Sequence, residues 1–313
     1  MFNLRQSKPD VSVIMPVRNS RDYVAAAIGS ILRQDLENLE LLILEDGSDD
    51  DTLDIVRGFK DRRLKIFSDG HTKGIAKRLN EGLDHASSNY VARMDGDDIS
   101  DPDRLTHQLR FMKQNPQVGV CGTHYRAFNA AGASDIYRLP VYPGGSRAKL
   151  LFACPVAHPT VMFSRSLLDR WRLRYDDNAR AEDYDLWVRC AAYFDICNVN
   201  RVLFNYRTHE SQASVANIDA IRNSANASRR SALRHANLDF NEDEFSVHCH
   251  LCEGFAIKRD TDFVEVVSWL KKISDNIWQV IDDRVFVEKE CQFYLNQTAK
   301  SHGFVPVQLR ELL

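Results

Sequence analysis

Four short apolar runs, separated by segments of helical periodicity, constrain the fold of this chain more than any other feature. The first, Val11-Ser12-Val13-Ile14-Met15, meets Pro16, which cannot donate to a ladder and is expected to stop the strand. The second, Leu39 to Leu44, is closed by Glu45-Asp46-Gly47-Ser48. Leu64 to Phe67 is the third, and Tyr90 to Met94, ending at Asp95, is the fourth. Between the first two, Val24, Ala27, Ile28, Ile31 and Leu32 fall on one face of a helix. A short helix is expected from Asp51 to Arg57 with Gly58 as its stop, and another from Gly74 to His85 through Ile75, Leu79 and Leu83. This alternation implies a mostly parallel sheet with helices on both faces. Ligands of such sheets collect at the carboxyl ends of the strands, where Pro16-Val17-Arg18, Glu45-Asp46 and Asp95-Gly96-Asp97-Asp98 all sit. One cleft can hold all three.

After Pro102 a helix carries Leu105, Leu109 and Met112. From Val118 to about Tyr142 the pattern predicts short strands and turns, with Gly132 and Pro143-Gly144-Gly145 as breakers. Glu182-Asp183 opens a helix through Leu186, Val188 and Cys190, and Val202 to Tyr206 is a further strand. Past about Val215 proline is absent until Pro306 and apolar residues recur at helical spacing. The expected organisation is a domain over 1–214, with a first half near 9–100 and a second near 101–214, and then a helical region over 215–313. A 44% hydrophobic content supports a core, and a net charge of −3 advertises no nucleic-acid surface. Seven irregularly spaced cysteines favour a reducing compartment over a disulfide framework. Met1 to Gln6 lacks the layout of a signal peptide, and no apolar run approaches the roughly 20 residues of a membrane span. A cytoplasmic protein is expected, with attachment to the inner face of the cytoplasmic membrane left open.

The acidic run Asp95-Gly96-Asp97-Asp98 is the sharpest chemical signal. Three carboxylates within four residues repel one another unless a cation or solvent neutralises them, and carboxylate oxygens suit Mg²⁺ or Mn²⁺. Gly96 leaves room for a diphosphate to approach the backbone. The bland alternative is a solvated turn with a helix cap at Asp101. A carboxylate of Glu45-Asp46 can accept the imide N–H of a uracil or similar base, while Ser48 or Asp49 caps the next helix.

At this point the chain resembles the family-2 glycosyltransferases, which have a Rossmann-like GT-A fold. Their opening strand is similar to Val11-Ser12-Val13-Ile14-Met15-Pro16-Val17-Arg18-Asn19. Their Asp-Asp-Gly-Ser element is matched by Glu45-Asp46-Gly47-Ser48, their Asp-any-Asp metal motif by Asp95-Gly96-Asp97, and their Glu-Asp pair by Glu182-Asp183. The resemblance covers about residues 9 to 210. It implies an inverting transfer of a hexose or N-acetylhexosamine from a UDP-sugar to a saccharide or lipid-linked acceptor, in surface polysaccharide or glycan assembly. Mn²⁺ or Mg²⁺ is implied at Asp95 and Asp97, and the base at Asp183, with Glu182 beside it. Two departures matter. Glu45 stands where the family often has Asp, which puts base recognition on Asp46. Leu79 stands where many members carry Arg, so Lys77 or its neighbour Arg78 is expected to supply the cation for uracil or diphosphate.

Two histidines complete the expected site. His158, in Cys154-Pro155-Val156-Ala157-His158-Pro159-Thr160, resembles an acceptor-side element, where it would meet acceptor or phosphate. Arg207 and His209, in Tyr206-Arg207-Thr208-His209, would reach the diphosphate and the metal. His248-Cys249-His250-Leu251-Cys252 lacks the second ligand pair that structural zinc sites use. Phe263, Val267 and Leu270, with Trp269 and Lys271-Lys272, form a stripe suited to a membrane surface, to a second subunit or to packing within the chain. Two other classes remain. A sugar-nucleotide nucleotidyltransferase is expected to show a glycine-rich loop after the first strand, and Met15 to Ser20 has no glycine. A non-catalytic sugar-binding protein has no need of Asp95, Asp97 and Asp183 together.

Overall fold

A computed structural model describes residues 8–209, 218–253, 263–277 and 284–301. The Met1–Gln6 segment and the boundary expected at 214/215 lie outside the described residues. The first part of the chain alternates as the periodicity predicts: β1 (Val11–Val17), α1 (Val24–Leu32), β2 (Leu39–Glu45), α2 (Thr52–Gly58), β3 (Leu64–Phe67), α3 (Ile75–His85) and β4 (Tyr90–Arg93). These strands pair in parallel in the order β3-β2-β1-β4. Alternate residues of β1 point to opposite cores. Val13 and Met15 pack with Ile28 and Ile31 of α1, whereas Ile14 packs with Leu79 and Leu83 of α3. Pro16 does not stop β1. It lies opposite Leu44 of β2, past the Ser12–Ile14 stretch that pairs with β4, so its missing N–H leaves no central ladder bond unmade.

The second part makes the sheet mixed. It comprises β5 (Ile99–Ser100), α4 (Arg104–Gln114), β6 (Val118–Asn129), β7 (Gly132–Tyr137), α5 (Pro143–Leu150), a 3₁₀ turn at His158–Thr160, β8 (Met162–Ser164), α6 (Arg165–Arg170), α7 (Glu182–Cys190) and β9 (Asp195–Arg207). β8 joins antiparallel to β4 and to β6, and β9 runs parallel to β6. Two expectations need correction here. Residues 118–129 form one long strand rather than several short ones. Pro143 begins a helix instead of breaking one, because proline is tolerated where the first N–H has no partner.

The C-terminal helices are α8 (Ile218–His235), α9 (Glu242–Cys252), α10 (Phe263–Ile277) and α11 (Arg284–Ser301). Their apolar faces share a core with Ala148, Leu151 and Phe152 at the end of α5. The α10 stripe is inside this core: Val266, Leu270 and Ile273 are fully buried and Trp269 nearly so. Lys272 pairs with Glu244 at 2.7 Å. The stripe read as a membrane or subunit surface is therefore a packing face. No helix among the described residues is long and apolar enough to cross a membrane.

Candidate active site

The loops after β1 and β2 are sewn together. Asn19 N–H donates to Ser48 Oγ (3.1 Å), Asp49 N–H to Asn19 Oδ1 (2.9 Å), Ser20 N–H to Thr52 Oγ1 (2.7 Å) and Arg21 N–H to Asp50 Oδ2 (3.2 Å). Ser48 and Asp49 consequently do not cap α2, whose N-cap position is Asp51 and carries no side-chain cap. Nor does Asp101 cap α4, which starts after Asp103. Glu45 is buried and turned inward, accepting from Ser48 N–H (2.5 Å) and Ser68 Oγ (2.7 Å).

Asp46 organises the segment that leads into α3. Its carboxylate accepts from Lys73 N–H (2.7 Å), Gly74 N–H (3.1 Å) and Arg78 Nε (3.0 Å). Arg78 is buried and also donates to Asp69 (2.8 Å), Glu81 (2.8 Å) and the His71 carbonyl (2.6 Å). The structure thus brings Arg78 onto Asp46, whereas Lys77 is exposed, as is Arg18. At the end of β1, Val17 is buried and Pro16 half-buried.

The loop after β4 gathers the acidic run. One ligand atom from each of Asp95, Asp97 and Asp98 lies within 4.8 Å of the others. Arg93, itself buried, forms an ion pair with Asp95. Burial, and further the charge of Asp97, raise the Asp95 carboxyl to about 6 against the pull of Arg93. Asp98 is fully buried, and that burial, with Asp95 and Asp97 alongside, pushes its carboxyl far upward. Its Oδ1 accepts the Arg207 N–H at 2.7 Å, while its Oδ2 has no hydrogen-bond partner among the described residues. Three crowded carboxylates with a buried oxygen free fit a divalent cation, which would neutralise them. Gly96 faces the β1 loop rather than open space: a Cβ there would lie 3.0 Å from Val17 Cγ1 and 3.4 Å from Ser20 Oγ.

The end of β9 closes over this run. Arg207 Nε donates to the Asp97 carbonyl (2.7 Å), and its guanidinium lies between the rings of Tyr23 (4.6 Å) and Phe128 (4.4 Å). His209 Nε2 is 3.0 Å from Asp97 Oδ2. Glu182 and Asp183 stand in the first turn of α7, where carboxylates are favoured by the helix dipole. Asp183 Oδ1 accepts Tyr184 N–H (2.7 Å), and Cys154 Sγ lies 3.7 Å from Oδ2. Burial raises both carboxyls. Glu182, with Asp183 beside it, reaches about 7. The charge of Asp183 acts on Asp95, and that of Asp95 on Glu182, so the two groups of carboxylates are near neighbours. His158 sits behind Glu182, buried, with Nε2 2.7 Å from the Tyr175 hydroxyl and Nδ1 3.7 Å from Glu182. Burial holds its imidazole neutral.

The structure therefore brings Asp95, Asp97, Arg207 and His209 together, with Glu182 and Asp183 close enough for charge to act between them and Asp95, and with Asp46 in the loop after β2. His158 backs the site from the interior. Sequence reasoning missed Arg93, Tyr23, Tyr175 and the inward half of Asp98. A cation in the otherwise apolar run Tyr90 to Met94 was the available signal for Arg93.

Comparison with known proteins agrees with this geometry. The family model "Glycosyl transferase family 2" matches residues 12–172, just over half of the chain. The Escherichia coli protein named UDP-Glc:alpha-D-GlcNAc-diphosphoundecaprenol beta-1,3-glucosyltransferase WfgD is 30% identical over 206 residues, covering 66% of this chain and 79% of its own. Among solved structures, S. aureus TarS 1-349 in complex with UDP-GlcNAc superposes with a TM-score of 0.60 at 17% identity, over 94% of this chain and 92% of that fragment. The mannosyltransferase PcManGT from Pyrobaculum calidifontis, in complex with GDP-Man and Mn²⁺, superposes with a TM-score of 0.54 at 17% identity, over 97% of this chain and 78% of its own. These two share the GT-A fold. With the motifs in order, the sheet in that fold and the family model matched over most of the strands that carry the site, the chain belongs to glycosyl transferase family 2.

Proposed function

We propose that this glycosyltransferase moves a hexose or N-acetylhexosamine from a UDP-sugar to a saccharide or lipid-linked saccharide acceptor, with inversion, in surface polysaccharide or glycan assembly. The observation that carries this reading is the gathering of Asp95, Asp97 and Asp98 within reach of one cation, with Glu182 and Asp183 close enough for their charges to be felt there. The name of WfgD supplies the donor and acceptor classes, and the UDP-GlcNAc complex of TarS agrees with the donor.

Asp97, with Asp95 and His209, would hold Mn²⁺ or Mg²⁺. The cation supplies charge neutralisation of the departing diphosphate, so no protein acid is needed there. Asp46 orders the 69–74 segment and faces the nucleobase. Four lone-pair sites serve a carboxylate, and three N–H donors occupy Asp46 here, which leaves room for one imide N–H. Arg18, Lys77 and Arg207 are assigned to the diphosphate, and Pro16 and Val17 to the wall beneath the base. Asp183 takes the proton of the attacking acceptor hydroxyl. Its raised pKa suits that task, because a base works best when its pKa approaches the working pH. Glu182, backed by neutral His158, keeps the acceptor side polar.

Calorimetric titration with UDP and with GDP, each with and without Mn²⁺, tests the donor half. Binding of UDP that needs Mn²⁺ and exceeds that of GDP supports it; equal binding of UDP in excess chelator contradicts it.

A further inference from the structure

The C-terminal helices bond to the chain segments on two sides of the candidate base. Helix α5 ends at Leu150, and the carbonyls at a helix end have no partner within the helix. Here three successive carbonyls are each taken by a side chain from a different helix. Tyr184 Oη of α7 donates to Leu150 O (2.8 Å), His248 Nε2 of α9 to Leu151 O (2.8 Å), and Arg229 Nε of α8 to Phe152 O (3.0 Å). The His248 tautomer is set by its other nitrogen. Trp269 Nε1–H, which can only donate, meets Nδ1 at 3.1 Å, so the proton sits on Nε2. His248 and Arg229 are both buried. Two residues beyond Phe152 is Cys154, whose thiol lies against Asp183 Oδ2.

The second side is the approach to α7. Arg180 N–H and Ala181 N–H both donate to Ser224 Oγ of α8, each at 3.0 Å. These are the residues immediately before Glu182 and Asp183, so one hydroxyl fixes the angle at which α7 starts. We infer that α8 and α9 position Asp183, through Ser224 at the start of α7 and through Arg229 and His248 on the Cys154 segment. Ser224, Arg229 and His248 are positioning residues in this scheme and touch neither donor nor acceptor. The inference rests on the reading of Asp183 as the base. It gives the C-terminal helices a task in the transfer itself, because catalysis depends on a base held within hydrogen-bond reach of the acceptor hydroxyl.

Ser224→Ala removes one half-buried oxygen and leaves α8 its packing face. Arg229→Met removes the donor to Phe152 O, and Ser224→Thr restores the hydroxyl. The full chain is assayed for UDP release from UDP-glucose and UDP-N-acetylglucosamine, for UDP affinity with Mn²⁺, and for amide exchange over residues 180–184 and 151–154. The inference expects Ser224→Ala and Arg229→Met each to lower kcat by about tenfold or more, since small misplacements of a catalytic group cost up to about 10²-fold. It also expects faster exchange at those two segments, unchanged UDP affinity, and recovery in Ser224→Thr. A kcat within twofold of the unaltered chain overturns it, as does a loss of kcat that tracks UDP affinity or the folded fraction. Asp183→Asn in the same assay separates the two ideas. Retention of full kcat there sinks the base reading. Loss there with no loss in Ser224→Ala or Arg229→Met sinks only the positioning.

Discussion

Burial and the neighbouring Asp183 raise the Glu182 carboxyl from an ordinary 4.5 to about 7, so its proton leaves near neutral pH. A carboxyl whose pKa is higher in the folded state favours folding fully below its unfolded value, and that contribution is lost as pH rises through the folded value. Glu182→Gln should therefore gain stability relative to the unaltered chain as pH rises from 4.5 past 7. Thermal melting of both proteins across that window checks this, and a constant difference in Tm contradicts it. The same burial raises Asp183, which must be ionised to act as base. The acidic limb of kcat/KM should lie above the usual position for an aspartate, with activity lost as pH falls through it. Asp183→Asn should lower kcat by roughly 10²–10⁴-fold with donor affinity nearly unchanged. At this scale the acids were legible, because Asp97 and Asp183 belong to residue types that are costly to crowd or bury without a task. Arg93 and Arg78 were not. A sequence shows a cation but not whether it is solvated or, as here, buried against Asp95 or Asp46.

Elements place these residues through their ends. The 69–74 segment has little apolar anchoring of its own and hangs on the Asp46 carboxylate and on Arg78. Asp46→Ala should weaken UDP binding by on the order of 1.5–3 kcal/mol, the range for hydrogen bonds to a charged group. Arg78→Met should do the same through the same segment. Calorimetry with UDP and Mn²⁺ decides, and unchanged affinity in both variants places the base elsewhere. The elements of the first part were legible because strand and helix periods alternate cleanly there. Residues 118–129 were not, since Gly119 and Gly122 weaken the strand pattern. In the structure these glycines mark close packing rather than turns: a Cβ would fall 2.2 Å from the Phe194 ring and 2.3 Å from Asn198 Oδ1. Pro143 misled for a related reason, as a proline can end one helix or occupy the first position of the next.

For the whole molecule, helical spacing in the C-terminal region was readable from the sequence, but the direction of its apolar faces was not. An amphipathic stripe looks alike whether it meets lipid, another subunit or its own core, and only the packing of Trp269 and Leu270 with Phe152 and Leu233 settles which. The fold brings motifs about ninety residues apart, at Asp95 and Asp183, close enough for their charges to act on one another, and the transfer reading depends on their acting together. The most direct test is release of UDP from a panel of UDP-sugars with Mn²⁺, run on the unaltered chain and on Asp97→Ala. The account predicts turnover of at least one donor that vanishes in excess chelator and in Asp97→Ala while the fold is kept. Equal turnover in chelator, or in Asp97→Ala, would contradict it.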